Sequence, residues 1–505
     1  MYKILKALKD TYITNKILND KFRATDSNVG QAGTLDLFKM FNESKLNGSS
    51  SLKEVSRLLI KFDLSTLQQL TGSSLDISHS SFKCTLKLYD VYGGQPCPKN
   101  FKIILHPLSR SFGEGTGMDV KTFSHLGSCN FITASVQEST PTLWAISGSN
   151  ASGLLGSSNI DIISSGNLQD GNGVADLWKT QTFDSGAENL SIDVTTIVSA
   201  TIAGLLPDEG FRLAYSGTHE SDEKTRFVKR FAARHATNVY KRPKIVVQYN
   251  DAEHDDQESM FFDLTGSVFL RNYHRGQPAN ILSGSAAVPM SGSNCIAVKI
   301  KSGSFSRILS ASQHSLGLNY VTGVYSSSFS ISSMETLLTE EIRSAGSGTF
   351  KLYWLSKDLN IAYHTGSLVI NEITRTSFEA TPRRLGVTIS NQRAQYRLAD
   401  KVRLRVHVSD KSPTIVRPRK LPRETKSIVT KEMFYRLIDA RTNNVIIPFD
   451  TTQRSTNLSS DGKGMYFELH CDALASGRSY KLEFLIRERG SDLYFKNVGN
   501  VFSVI

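Results

Sequence analysis

Few residues in this 505-residue chain stand at spacings that could do chemistry. The one dense glycine cluster is GEGTG, Gly113 to Gly117, and backbone amides bared by glycines can cradle a phosphate. It lacks the GK[ST] ending and no helical pattern follows it, so it reads as a loop. No HExxH or GxSxG motif occurs, and the histidines are scattered, with no two at ligand spacing on one element. Glu220, Asp222 and Glu223 in THESDEKT are the densest carboxylates of the first half. Acid–base work needs partly buried, mutually positioned carboxyls, and a run this hydrophilic reads as a solvated turn. NDAEHDDQES, Asn250 to Ser259, joins five carboxylates to a histidine, but it fits no calcium loop with its required glycine. It reads as an acidic linker. No catalytic, cofactor-binding or metal-binding residue is nominated, and the expectation is a protein that is not an enzyme and needs no cofactor.

Two basic stretches offer surfaces instead. In RFVKRFAARHATNVYKRPKIVVQY, Arg226 to Tyr249, parity separates the residue types. Phe227, Phe231 and Ala233 fall on one strand face; Arg226, Arg230 and Arg234 fall on the other. Single-stranded nucleic acid is held where rings and cations share a face, so no nucleic-acid partner is expected. The rings are expected in a core and the three arginines at a wet face or a protein interface. Lys229 sits at the parity of the rings, which predicts a bulge or bend. The second stretch, SPTIVRPRKLPRETKSIVTK, contains Pro413, Pro418 and Pro422 and cannot be helical throughout. It reads as an exposed connection or an extended arm, with Arg417, Arg419, Lys420 and Arg423 meeting carboxylates of a neighbouring subunit. The net charge of +12 favours acidic surfaces but says nothing of fold.

The elements that must carry these residues have period two. RLLIKFDL places Leu58, Ile60, Phe62 and Leu64 on one face, with Arg57, Lys61 and Asp63 opposite. SFKCTLKLYD, DKVRLRVHV and YKLEFLI alternate in the same way, the pattern of strands with one buried and one wet face. Gly, Ser, Asn and Asp clusters separate them as turns, and Asn443-Asn444 suits a tight hairpin. Helical spacing occurs in VTTIVSATIAGLL, and a second short helix is expected over Met334 to Ile342. Five cysteines without a CxxC pair argue against a disulfide framework and for a reducing cytoplasm. No apolar run reaches the roughly 18 to 20 residues that span a bilayer, so no membrane is expected. MYKILKALKDTYITNK reads as a first strand rather than a signal peptide.

The fold expected is all-β: an N-terminal jelly-roll-like β-sandwich over 1–250, the acidic linker over 251–259, and two immunoglobulin-like β-sandwiches over 260–374 and 375–505. Along residues 5–250 stand, in order, KDTYI, SNVGQAGTLDLF with Asn28 and Gly30, RLLIKFDLSTL, CTLKLYDVY, HPLSRSFGEGTGMDV, LWAISGS, SIDVTTIV, GFRLAY and RPKIVVQY. In order and spacing they resemble the DNRLRE domain family, a jelly-roll-like sandwich related to carbohydrate-binding modules. The tryptophan-rich loops common in that family are thin here, with Trp144 and Trp178 remaining. FVKRFAARHATNVYKRPKIVVQYND resembles the closing hairpin of such domains in tailed-phage virion proteins, and FYRLIDARTNNVIIPFD with GRSYKLEFLIRERG has a similar character. The resemblance implies a virion structural protein of neck, tail or baseplate, made in the host bacterial cytoplasm. It implies contacts with other virion proteins and homo-oligomerisation in a symmetric assembly. The alternative is an adhesin that binds a host glycan through exposed rings, for which Tyr92, Trp144 and Trp178 are the candidates.

Overall fold

The computed structural model describes residues 1–19, 21–41, 53–71, 75–91, 99–122, 125, 127–168, 174–222, 227–257, 260–284, 287–338, 347–372, 384–411, 427–488 and 490–505. The chain is all-β, a jelly-roll-like sandwich followed by two immunoglobulin-like ones. It divides into two compact units: Lys3–Gln68 with Phe82–Val247, and Met1–Tyr2 with Gln69–Ser81 and Gln248–Ile505.

In the first unit one long sheet runs in the order Lys179–Phe183, Phe101–Pro107, Phe211–Tyr215, Lys53–Phe62, Tyr2–Thr14, Lys244–Gln248, Lys83–Leu88 and Leu190–Asp193. Its two end strands are stitched by the Gln181 side chain, which donates to the Asn189 carbonyl and accepts from the Ser191 amide. Thr34–Phe41 branches from Lys53–Phe62 and carries Phe227–Ala232. Phe101 stacks on Phe183 at 4.9 Å, and Phe183 meets Phe231 at 6.5 Å, so rings from distant strands close one core.

Strand Lys83–Leu88 alternates as its sequence demands, with Cys84, Leu86 and Leu88 buried. Lys53–Phe62 departs from expectation, because both of its faces are covered. Leu58, Ile60 and Phe62 fill one core, while Leu59 joins Ile13, Leu108, Phe112, Cys129, Trp144 and Ile162 in a second. The segment between Phe101–Pro107 and Lys179–Phe183 supplies most of that second core. It therefore buries the face on which Arg57 lies, which alternation alone marks as wet. Helix Thr195–Ile202 forms as expected and buries Ile197 and Val198. Met334 to Leu338 forms turns instead of the start of a helix, and the rest of that stretch, 339–342, lies outside the described residues.

In the second unit a seven-stranded sheet runs Met260–Phe261, Ala362–Asn371, Ser347–Leu355, Ile296–Ser302, Phe305–Leu316, Asn319–Phe329 and Gly266–Arg271. It curls around Trp354, Phe350, Phe262 and Tyr325, all fully buried. The last sandwich pairs two sheets. One runs Leu385–Ile389, Lys401–Asp410, Gly464–His470 and Ser459–Asp461. The other runs Gln395–Tyr396, Ser491–Val504, Arg478–Glu488, Met433–Asp439 and Val445–Ile447. Leu404, Val406 and Val408 of the first sheet and Tyr480, Leu482, Phe484 and Ile486 of the second are all buried. The Tyr480 hydroxyl donates to the Ala475 carbonyl and accepts from its amide, a tie of the kind found at the tyrosine corner of immunoglobulin sandwiches. Asn443, at φ 57°, makes the expected tight turn, and Asp439 caps it by accepting from the Arg441 and Thr442 amides.

Candidate functional site

Arg226, Tyr92, Arg417, Arg419, Lys420 and Arg423 lie outside the described residues. Arg230 and Arg234 do not wait for a partner. Arg230 faces Asp36 across the ladder and grips it bidentately at 2.7 and 2.8 Å. Arg234 holds Glu114 at 2.8 Å. Both guanidiniums are one-third exposed, so the expected interface cations are already engaged within their own unit. Phe231 is fully buried, as its parity requires. The ladder beside it runs from Phe227↔Lys39 to Ala232↔Thr34 with no shift, so the bulge expected at Lys229 is absent. Lys229 instead points inward. Its ammonium donates to Asp90 and to the Gly186 carbonyl and sits 5.4 and 5.3 Å from the rings of Phe183 and Phe231.

Trp144 offers no face to a glycan. It is 5% exposed in the second core, and its indole N–H donates to the Asn130 carbonyl at 2.9 Å. Trp178 is 40% exposed. Of the THESDEKT carboxylates, Glu223 lies outside the described residues, and Glu220 and Asp222 are not a solvated turn. Glu220 lies 2.7 Å from Arg57 and 3.7 Å from Arg212, two buried arginines, and Asp222 pairs with the fully buried Lys39. GEGTG is a loop, as read, wrapped around the side chain of Asn28.

The site that sequence reasoning missed lies in the second unit, where strand Gly266–Arg271 of one sandwich meets strands Lys401–Asp410 and Gly464–His470 of the other. A cleft of about 280 Å³ opens there. Antiparallel register sets Arg403 opposite Glu468 and Arg405 opposite Tyr466. Glu468 accepts from Lys401 at 2.6 Å and from Arg403 at 2.8 Å. Burial alone would raise its pKa, but the two cations outweigh it and hold the carboxyl down at about 2. Arg271 donates to Glu253 at 2.7 Å, and its guanidinium lies 5.8 Å from the Tyr466 ring. Arg403 covers the same ring at 4.4 Å. Tyr273, Tyr435, Phe467 and Asn457 complete the wall.

The acidic stretch supplies Glu253 because it is tied along the strand Ser459–Asp461. Glu253 N–H donates to Ser459 Oγ at 3.2 Å, Asp255 N–H to Ser460 Oγ at 2.9 Å, and Ser460 N–H to the Glu253 carbonyl at 2.8 Å. Asp255 is buried behind the cleft, with Arg271 at 3.8 Å. Burial lifts its pKa from 3.8 to about 7, against the hydrogen bond from the Gln257 amide and the pull of Arg271. Between those values the folded chain holds a proton that the unfolded chain has released. This group therefore makes stability fall as pH rises from about 4 to about 7, by at most about 1.4 kcal/mol per pH unit, with no further loss above. Asp255→Asn is expected to flatten that decline in urea unfolding measured at pH 4.5, 6 and 7.5. An unchanged slope would refute the assignment.

No known family model matches this chain, and no curated protein matches it. Solved structures with some likeness include the N-terminal Ig1-2 module of the Drosophila receptor protein tyrosine phosphatase DLAR. It is 10% identical, and the match covers 48% of this chain and 90% of that one, with a TM-score of 0.13. The Escherichia coli alpha-2-macroglobulin activated by porcine elastase is 8% identical over 98% of this chain and 44% of that one, with a TM-score of 0.17. The Salmonella alpha-2-macroglobulin reacted with methylamine is 9% identical over 98% and 30%, with a TM-score of 0.13. The chain thus spans less than half of either macroglobulin. Likenesses this distant carry no argument about function.

Proposed function

We propose that this chain is a structural component of a tailed-phage particle, of neck, tail or baseplate, which acts through protein–protein contacts in a symmetric assembly. Support comes from the family resemblance of residues 5–250 and from one observation in the second unit. Strand Ala362–Asn371 pairs on its inner side with Ser347–Leu355 along its whole length. On its outer side, among the described residues, strand Met260–Phe261 pairs only with Ile370 and Asn371. Beyond the register shift between Ala362 and His364, the edge over His364–Leu368, HTGSL, contains no Lys, Arg, Asp, Glu or Pro, and His364, Thr365 and Ser367 are exposed. Monomeric proteins usually blunt such an edge with charge, proline or a bulge. An edge left plain is a template on which a neighbouring chain can add a strand.

Particles of the encoding phage, disrupted and fractionated into heads and tails, are expected to yield this chain in the tail or neck fraction by mass spectrometry. Its absence from purified particles would overturn the reading. Thr365→Lys places a charge on the open edge, where a surface substitution changes monomer stability by no more than about 0.5 kcal/mol. The variant is expected to melt as the parent does yet fail to enter particles.

A further inference from the structure

We propose that the cleft in the second unit is a binding site for a neutral saccharide. This inference does not rest on the particle assignment. It rests on four properties of the wall.

The first is charge. The Met1 ammonium, Arg271, Lys401 and Arg403 line the cleft together with Asp251, Glu253 and Glu468, and each of these charges is already paired, Met1 with Asp251. Arg403 and Lys401 share Glu468, and Arg271 holds Glu253. A charged ligand would have to break one of these pairs and leave its partner buried and alone, at a cost of several kcal/mol. A neutral ligand leaves them intact.

The second is hydrogen-bonding capacity. A guanidinium has five N–H donors and a carboxylate about four acceptor sites. The pairing uses only part of each and fixes their planes. Adjacent hydroxyls on a ring are the neutral groups that both give and take hydrogen bonds at such fixed, paired positions.

The third is an orphaned acceptor. Asn457 lines the cleft, is 5% exposed, and its Oδ1 is buried with no partner within the protein. Its amide nitrogen is already held by His254 Nε2 at 3.4 Å and the Lys431 carbonyl at 3.3 Å. Native chains rarely leave such an atom unpaired, since it costs about 1–3 kcal/mol. A ligand hydroxyl would satisfy it once the wall shifts enough on binding to bare the oxygen.

The fourth is shape. Tyr273 lies at the wall with its side chain 48% exposed, a ring on which the C–H face of a pyranose can lie. The volume of about 280 Å³ lies just below the roughly 300–1,000 Å³ of small-molecule sites. It excludes a folded protein segment.

The test uses the full chain with maltose, lactose and diacetylchitobiose as probes, and glucuronate and glucose 6-phosphate as charged controls. Saturation-transfer NMR detects binding and calorimetry measures it. At least one neutral disaccharide is expected to bind, and neither charged sugar is expected to bind more tightly. Tyr273→Ala, at an exposed position, is expected to weaken binding at least tenfold, about 1.4 kcal/mol, with an unchanged melting temperature. Asn457→Leu is expected to weaken binding as well, though with some loss of stability as the Lys431 carbonyl loses its donor; if that variant fails to fold, Tyr273→Ala decides. No transfer to any neutral probe, tighter binding of a charged control, or unchanged affinity in folded Tyr273→Ala would each overturn the proposal. None of those results bears on particle incorporation, which is tested at the His364–Leu368 edge.

Discussion

Glu220→Gln is expected to destabilise the first unit by about 3 kcal/mol, the lower end of the cost of stripping a buried charge of its partner. Arg57 and Arg212 are 6% and 2% exposed. Arg57 Nε donates to Glu220 at 2.7 Å and Arg57 Nη1 to the Gly148 carbonyl at 2.6 Å; Arg212 Nη2 donates to Asn150 at 3.1 Å. Burial and repulsion from Arg57 already push Arg212 down to about 9, against the pull of Glu220. Burial would raise Glu220, but the two arginines outweigh it and keep its pKa below the ordinary value. Glutamine keeps the shape and removes the one charge, among the described residues, that lies within 4 Å of both guanidiniums. The low end of the range applies because the Glu220 side chain is one-fifth exposed and water screens part of the loss. Urea unfolding of the full chain, followed at two wavelengths, measures it. A shift below about 0.5 kcal/mol would show that the cluster is solvated. In a double-mutant cycle with Arg57→Met, the second substitution should cost less in the Glu220→Gln background than alone.

That cluster also marks the limit of what alternation reveals. Cys84, Leu86 and Leu88, or Leu404, Val406 and Val408, announce their buried face because one side of their strands meets solvent. Arg57 shows the same spacing from Leu58 as an exposed arginine would, yet its face is roofed by residues of 108–162, fifty to a hundred positions along the chain. No local signal carries that. Lys229 is a sharper case. Its parity says inward and its charge says outward, and distant partners, Asp90 at 139 residues and the Gly186 carbonyl at 43, decide between them. The cleft was hidden for a related reason. Arg403 and Glu468 each show as outward residues of their own strands, but their pairing depends on register between strands 65 residues apart. The acidic stretch displayed its charges plainly in sequence; that Glu253 would meet Arg271 required knowing where the strand Gly266–Arg271 ends.

Asn28→Ala is expected to cost the first unit about 4–5 kcal/mol, a large share of the roughly 5–15 kcal/mol that holds a domain folded. Asn28 is fully buried. Its Nδ2 donates to the carbonyls of Glu114 and Cys129, each at 2.8 Å, and contacts Ser128 Oγ at 3.2 Å; its Oδ1 accepts from the amides of Gly117 at 2.9 Å and Gly30 at 3.2 Å. One side chain thus satisfies the backbone of three separate segments, and alanine orphans buried donors and acceptors together, each at about 1–3 kcal/mol before relaxation. Gly115 and Gly117 of GEGTG exist for this contact rather than for phosphate. A Cβ on Gly117 would lie 1.8 Å from the Asn28 carbonyl oxygen, and one on Gly115, already at φ +81°, would lie 2.3 Å from Asn28 Oδ1. Gly117→Ala is therefore expected to be at least as damaging as Asn28→Ala, because the obstacle is backbone that cannot step aside. Gly33→Ala supplies the control, since its added Cβ meets nothing within 4 Å, and it should shift stability by no more than about 0.5 kcal/mol. Thermal melts of the three variants order these expectations. If Gly117→Ala melts with the parent, the loop does not close on Asn28, and GEGTG returns to being a glycine cluster without a structural cause.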